Sequence, residues 1–270
     1  MNETRPNIVA RALSCLRQRR MPDRLLALDE TLKVKFGPSH YRRRQSRILR
    51  KTGSPPSLQN LKGICETALK AGAAIPLGDI AYGPAHWEKS GVLAQAPAYY
   101  YFLAGFVKSL GLTQIVEVGT WYGGSTQALE RGLEGPGKIV TIDICQHNPD
   151  GLTPFDKIKR ITGDAASPAV LNDIAAEIAP TIDLLYLDGD HRYESNRDIL
   201  RLYGPRLRPR WVIMDDIHWQ WSMEKLWAQV LKYHAPYALD AGTEWGFRCP
   251  GKNGNGFGVI DFRDRDDYRI

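Results

Sequence analysis

From Pro97 onward two hydrophobic periods alternate along the chain. Short apolar runs, "QIVEVG", "KIVTIDI", "KRITGD", "IDLLYLDGD" and "WVIMDD", predict strands. Between them "GSTQALERGL", "SPAVLNDIAAEIA", "YESNRDILRLYGPRL" and "SMEKLWAQVLKYH" predict helices, with Ser167 as an N-cap and Pro168 in the first turn of the second. Parallel neighbours need a helix-length crossover, so this alternation predicts an α/β, doubly wound, mostly parallel Rossmann-like sheet. Two further runs, "APYALDAG" and "GFGVIDF", bring the strands to seven; the Asn-Gly steps of "KNGNG" between them favour a hairpin-like reversal and an antiparallel C-terminal strand.

Upstream the pattern differs. Residues 1–56 read as a basic extension of amphipathic helical pieces closed by the breaker "TGSPPS". Residues 57–96 begin with a helix, "SLQNLKGICETALKAGA", and continue as loop around "PLGDIAYGPAHW", a possible cap over a substrate. Residues 97–270 form the main domain, opened by the helix "PAYYYFLAGFVKSLGL", whose aromatics suit a core.

With 270 residues, 43% of them apolar, the chain can bury a full core. The four cysteines, Cys15, Cys65, Cys145 and Cys249, are far apart and form no CxxC pair, which suggests neither a disulfide framework nor a zinc cluster and fits a reducing cytoplasm. No run approaches the roughly 18–20 apolar residues of a membrane span. The net charge of +6 is uneven, since residues 1–52 hold 14 Lys or Arg against 4 Asp or Glu. That excess suits either a solvated helical face or contact with an anionic surface or another subunit. "YRRRQSRILRK" lacks the interleaved aromatics that stack on bases, so nucleic acid is not the expected partner, and homo-oligomer formation stays open.

Ligands of open α/β sheets bind beyond the carboxyl ends of the strands. The first tip, "VEVGTWYGGST", puts glycines at 119, 123 and 124, where backbone can turn tightly and the next helix presents its N-terminal amides. A dinucleotide fingerprint would want glycine where Trp121 stands. The second and third tips end on Asp143 and Asp164; the fourth and fifth, "YLDGDH" and "IMDDIH", carry Asp188, Asp190, His191, Asp215, Asp216 and His218. Carboxylates converging on one point repel unless a cation lies between them, and oxygen-only ligands favour a hard ion such as Mg²⁺. Separate capping or solvated aspartates are the plainer alternative.

The spacing Glu117-x-Gly119-x-x-x-Gly123-x-Ser125 resembles motif I of class I S-adenosylmethionine-dependent methyltransferases. "LDGDHRYES" with "VIMDDI" resembles the metal-dependent O-methyltransferases, among them the catechol, caffeoyl-coenzyme A and macrolide-sugar types and bacterial enzymes with a DGDH-x-Y signature. The resemblance covers about residues 97–262. It implies a donor site at Glu117, Gly119, Thr120, Trp121, Tyr122, Gly123 and Ser125, with Asp143 on the ribose hydroxyls, Asp164 and Ala165 at the adenine, and Asp188 at the reacting end. It implies a metal held by Asp188, Asp215 and Asp216. Spacing alone leaves open whether Asp188 or Asp190 faces the ion; Asp188 lies directly at the strand end and is the expected ligand, with Asp190 the expected N-cap of the next helix. Histidine titrates near neutrality, which makes His191 the first candidate base and His218 the second. Trp219 and Trp221 could wall a sugar or aromatic acceptor. The expected activity is divalent-metal-dependent O-methylation of a hydroxylated small molecule or sugar. Metal-independent N- or C-methylation, an inactive binding protein and a nicotinamide-binding Rossmann protein are the alternatives.

Overall fold

The computed structural model describes residues 39–80, 98–147, 156–246 and 256–270. Helices α1 (Ser39–Thr52), α2 (Pro56–Gly72) and α3 (Ala98–Leu110) precede strand β1 (Gln114–Val118). Then follow α4 (Gly124–Gly132), β2 (Lys138–Asp143), β3 (Ile158–Thr162), α5 (Pro168–Glu177), β4 (Leu184–Leu187), α6 (Tyr193–Leu207), β5 (Trp211–Asp215) and α7 (Trp221–His234). A 3-10 turn (Ala235–Tyr237), β6 (Ala238–Asp240), α8 (Ala241–Trp245) and β7 (Phe257–Asp261) complete the order.

All seven strands join one sheet in the order β3-β2-β1-β4-β5-β7-β6. The first five are parallel; β7 runs antiparallel to β5, and β6 antiparallel to β7. Strand order reverses between β1 and β4, so the tips of these two strands flank the crevice where such sheets take their ligands.

The period of two along each strand divides the core into two layers. Val116, Val118, Ile142, Leu185, Leu187, Val212 and Met214 face α5, α6 and α7. Ile115, Ile139, Leu184, Tyr186, Trp211 and Ile213 face α2, α3 and α4. Buried on both faces, the central strands read as continuous apolar runs, as parallel strands do. Glu117 and Thr141, in phase with Ile115 and Ile139, therefore turn toward α4, and both are fully buried.

The basic helix α1 ends where Gly53 adopts φ 66° and returns its amide to the Leu49 carbonyl at 3.0 Å, the left-handed stop that glycine favours. Pro55 and Pro56 then open α2. α1 packs on α7, with the Tyr41 ring stacked on Trp221 at 6.4 Å.

Two details differ from the sequence reading. The residue preceding α6 is Arg192, not Asp190, and its side chain makes no cap. The first amide of the helix, that of Tyr193, instead donates to Ser222 Oγ on α7 at 2.7 Å, so a neighbouring helix supplies the cap. The link from β6 to β7 also begins with α8, whose Asp240 cap accepts the Thr243 amide at 2.9 Å, where a simple hairpin was expected. The strands do pair antiparallel. Most of "KNGNG" lies outside the described residues, as do residues 1–38, the "AYGPAHW" segment, Cys15 and Cys249.

α2 and α3 cross at Gly72 and Gly105, where a Cβ on either would collide with backbone of the other helix: Tyr101 carbonyl for Gly72, Ala68 carbonyl for Gly105. Helix propensity alone would make Gly105→Ala stabilising by about 1 kcal/mol. The collision reverses the sign, and urea unfolding is expected to show a loss of about 1–3 kcal/mol; a gain would mean the helices part without cost.

Candidate functional site

The site is built on the contact between the β1 and β4 tips. Gly119 leaves β1 at φ 102°, and a Cβ there would run into the Asp188 backbone carbonyl. The Asp188 amide donates to the Val118 carbonyl at 2.8 Å, so the glycine turn and the first acid of "DGDH" are locked side by side. Gly123, at φ 85°, starts α4 and donates its amide to the Thr120 carbonyl at 2.7 Å. Trp121 lies between them in a left-handed conformation, φ 43°, that costs a non-glycine residue about 1–2 kcal/mol. Its amide donates to Asp143 Oδ2 at 2.7 Å, which ties the turn to the β2 tip.

Glu117 anchors the turn from below. Ser125 Oγ donates to its carboxylate at 2.6 Å and Thr141 Oγ1 at 2.6 Å, with Thr126 as a third donor. Because the Thr141 proton is committed to Glu117, Thr120 donates to Thr141 in turn, at 2.6 Å. Burial pushes the Glu117 carboxyl up to about 7, against the pull of the three hydroxyls. Sequence placed Glu117 among the donor contacts, along with Thr120 and Ser125. The structure seats its carboxylate beneath the turn, occupied by hydroxyls and out of reach of solvent.

Two tip carboxylates stand side by side, Asp143 at the end of β2 and Asp164 after β3. Asp143 accepts the amides of Trp121 and Cys145, the latter at 3.2 Å. Asp164 is exposed, accepts the Ala166 amide at 2.9 Å, and stands beside a buried Ala165. Gly163 donates to the Asp143 carbonyl at 2.9 Å, which fixes the two aspartates at neighbouring tips. The exposed Trp121 indole meets Tyr122 edge-on at 5.4 Å, and His147 stacks on Tyr122 at 5.8 Å. A carboxylate for vicinal hydroxyls, an acid for an amino group and an open glycine turn suit the donor set of a sulfonium nucleoside.

At the other end of the crevice Asp188 and Asp215 come together. Tyr186 Oη donates to Asp188 Oδ2 at 2.9 Å, and the Asp188 and Asp215 carboxyls lie within hydrogen-bonding reach of each other. Desolvation first, then repulsion from neighbouring aspartates, holds both well above the usual carboxylate range. That is the electrostatic situation a hard divalent cation relieves, and the oxygen-only donors fit one.

Asp216 departs from the expected trio. Its backbone is left-handed, φ 55°, and its Oδ2 lies 3.4 Å from His191 Nε2. The three aspartates do not bring their ligand atoms together as a compact triad; among the described residues the group that does, within 4.8 Å, is Asp143, Cys145 and His147.

His218 is corrected more firmly. Its Nδ1 lies 2.9 Å from Glu224 Oε1 and its Nε2 2.6 Å from Asp240 Oδ2. Burial lowers its proton affinity, but the two carboxylates outweigh this and push it up to about 9. An imidazolium with both N–H groups committed is no base at neutral pH. Glu224, fully buried, also receives Gln45 Nε2 at 2.7 Å and Arg42 Nε at 2.5 Å from α1. The basic helix thus reaches the loop after β5 through Arg42, Glu224 and His218, a chain that no motif announced. Of the two indoles, Trp219 is exposed on the loop, while Trp221 opens α7 and packs on Tyr41.

Residues 116–217 match a family profile described as "Methyltransferase domain". No curated protein sequence matches the chain. Among solved structures, an O-methyltransferase from Bacillus cereus in complex with S-adenosylhomocysteine is 20% identical, with 74% of this chain and 90% of that one covered and a TM-score of 0.48. The S-adenosylhomocysteine-bound methyltransferase PaMTH1 of Podospora anserina is 16% identical over 78% of this chain and 100% of its own, TM-score 0.46. MycE of the mycinamycin biosynthetic pathway, in complex with Mg, S-adenosylhomocysteine and mycinamycin VI, is 18% identical over 60% and 48%, TM-score 0.42.

Because the proton on His218 is bound more tightly in the folded chain than at the ordinary value of 6.5, its contribution to stability is complete below pH 6.5 and lost as pH rises through about 9. The shift corresponds to about 3 kcal/mol. Chemical unfolding of the wild type is expected to weaken between pH 7 and 10, and His218→Gln to flatten that dependence; parallel profiles would remove the charged histidine from the account.

Proposed function

We propose that this chain is an S-adenosylmethionine-dependent methyltransferase and that it carries out divalent-metal-dependent O-methylation of a hydroxylated small molecule or sugar. The observation that carries the reading is the pair Asp188 and Asp215, two desolvated carboxyls meeting at adjacent strand tips. Like charges brought together in this way are costly without a cation, and the pair stands beside the glycine turn.

When bound, the donor supplies an electrophilic methyl group, and Mg²⁺ would lower the pKa of an acceptor hydroxyl as cations do for bound water. The rest falls to the chain. Asp143 takes the ribose hydroxyls, Asp164 the adenine amino group, and the Gly119–Gly123 turn lets the methionine end approach the backbone. Asp188 and Asp215 would hold the ion, with Asp216 at its margin. His191 serves as the base: its Nε2 faces Asp216, so an Nε2 proton is held there and Nδ1 is left to accept the acceptor's proton. Trp219, exposed on the loop after β5, offers an apolar wall to the acceptor. Bringing hydroxyl and methyl into line supplies much of the acceleration.

An acceptor screen with labelled methyl donor, run with Mg²⁺ and with chelator, tests the reading; turnover that survives chelation would favour N- or C-methylation instead. Asp188→Asn is expected to abolish metal-dependent turnover while donor affinity measured by calorimetry stays nearly unchanged. Because it removes one of two carboxyls whose charges repel, the same variant should melt no lower than wild type in chelator. Unchanged turnover removes Asp188 from the chemistry.

A further inference from the structure

We propose that Asp143, Cys145 and His147 form a binding site for a borderline-soft divalent cation, zinc foremost, and that its occupancy excludes the methyl donor. The cysteine count argued against a zinc cluster, because no second cysteine stands nearby. Alternate residues from the last position of β2 onward supply three different donors instead: a carboxylate, a thiol and an imidazole, with ligand atoms all within 4.8 Å of one another.

The spacing suits the ion. Ligands about 2.0–2.3 Å from a tetrahedral zinc stand about 3.3–3.7 Å apart. Cys145 Sγ and His147 Nε2 are 3.3 Å apart, already one such edge. The backbone prepares the rest: the Cys145 amide donates to Asp143 Oδ1, which draws the carboxylate over its own loop, and stacking on Tyr122 orients the His147 ring. His147 is exposed and the other two are half-buried, so the site is open to solution and leaves a fourth position for water. Sulfur and nitrogen donors separate this site from the oxygen-only pair at Asp188 and Asp215, which prefers a hard ion. On binding, the Cys145 thiol gives its proton to solvent, and no electron moves.

The consequence follows from Asp143, and this half rests on the reading of that residue as the ribose contact. One carboxylate cannot both ligate a cation and receive the two ribose hydroxyls, so cation and donor compete. A methyltransferase built this way is silenced by soft divalent metal and released by removing it.

The test uses the full chain and two probes, Co²⁺ and Zn²⁺ alone. Co²⁺ is expected to give a thiolate-to-metal charge-transfer band that Zn²⁺ displaces, that Cys145→Ser abolishes and that His147→Ala weakens. Zinc is then expected to reduce donor affinity, measured by calorimetry, by roughly tenfold or more in the wild type. Cys145→Ser, which retains donor binding without zinc, should show no such loss. Absence of the band, or its persistence in Cys145→Ser, overturns the site. A cation that binds there without weakening the donor overturns the exclusion. If the metal-free protein binds no donor at all, the donor reading fails and the exclusion with it, while the cobalt band still decides the site.

Discussion

The crevice depends on one steric fact: the β1 and β4 tips touch at Gly119 and the Asp188 carbonyl, where no side chain fits. Parallel strands beside a reversal of strand order leave a gap beyond their ends, and what fills it decides what the fold can bind. Here the gap has the glycine turn on one side and the Asp188 carboxyl on the other. The turn is not held by its glycines alone. A buried carboxylate, Glu117, fastens it through Ser125 and Thr126 to the first turn of α4 and through Thr141 to β2. Left without those donors, the charge would cost several kcal/mol, so the hydroxyls and the acid require one another.

The same logic separates what could be read from the sequence from what could not. Strand and helix periods gave the element order, and α6 spans the residues its pattern marked, because the apolar face repeats through all four turns. The tip acids were visible for a similar reason: an Asp after a buried run stands out. Their partners were not. Nothing in "LDGDHRYES" distinguishes an Asp190 that caps α6 from one that does not, since the cap comes from Ser222, 29 residues on. Glu117 read as a ligand contact because its motif position is shared by that role, and only the phase of β1 under α4 shows where the side chain goes. His218 read as a base because residue type suggests it; the carboxylates that bind its proton come from α7 and β6.

The charge asymmetry of the chain is explained in part by the same long-range pairing. Arg42 and Gln45 meet the buried Glu224, so one face of α1 is a structural ligand of the loop after β5. Arg44 adds a contact to Gln229 on α7, at 3.2 Å. The remaining arginines of α1, Arg43, Arg47 and Arg50, lie on its other faces, where exposed charges contribute little to stability. A basic count therefore mixed two populations that only the packing separates.

The loop after β5 is consequently held from two directions. Asp215 is tied to its own strand and pressed against Asp188, while three residues later His218 is clamped between Glu224 and Asp240. Between the two anchors Asp216 takes a left-handed backbone, φ 55°, which costs most non-glycine residues about 1–2 kcal/mol and aspartate less. Strain of that size persists only where both flanks are fixed. The Asp216 carboxylate faces His191, with Oδ2 3.4 Å from Nε2. Its negative charge still adds to the repulsion felt by Asp188 and Asp215, while its carboxylate also partners an imidazole. Arg42 and Gln45 of α1 meet the same Glu224 that clamps His218, so this helix belongs to the far anchor of the loop.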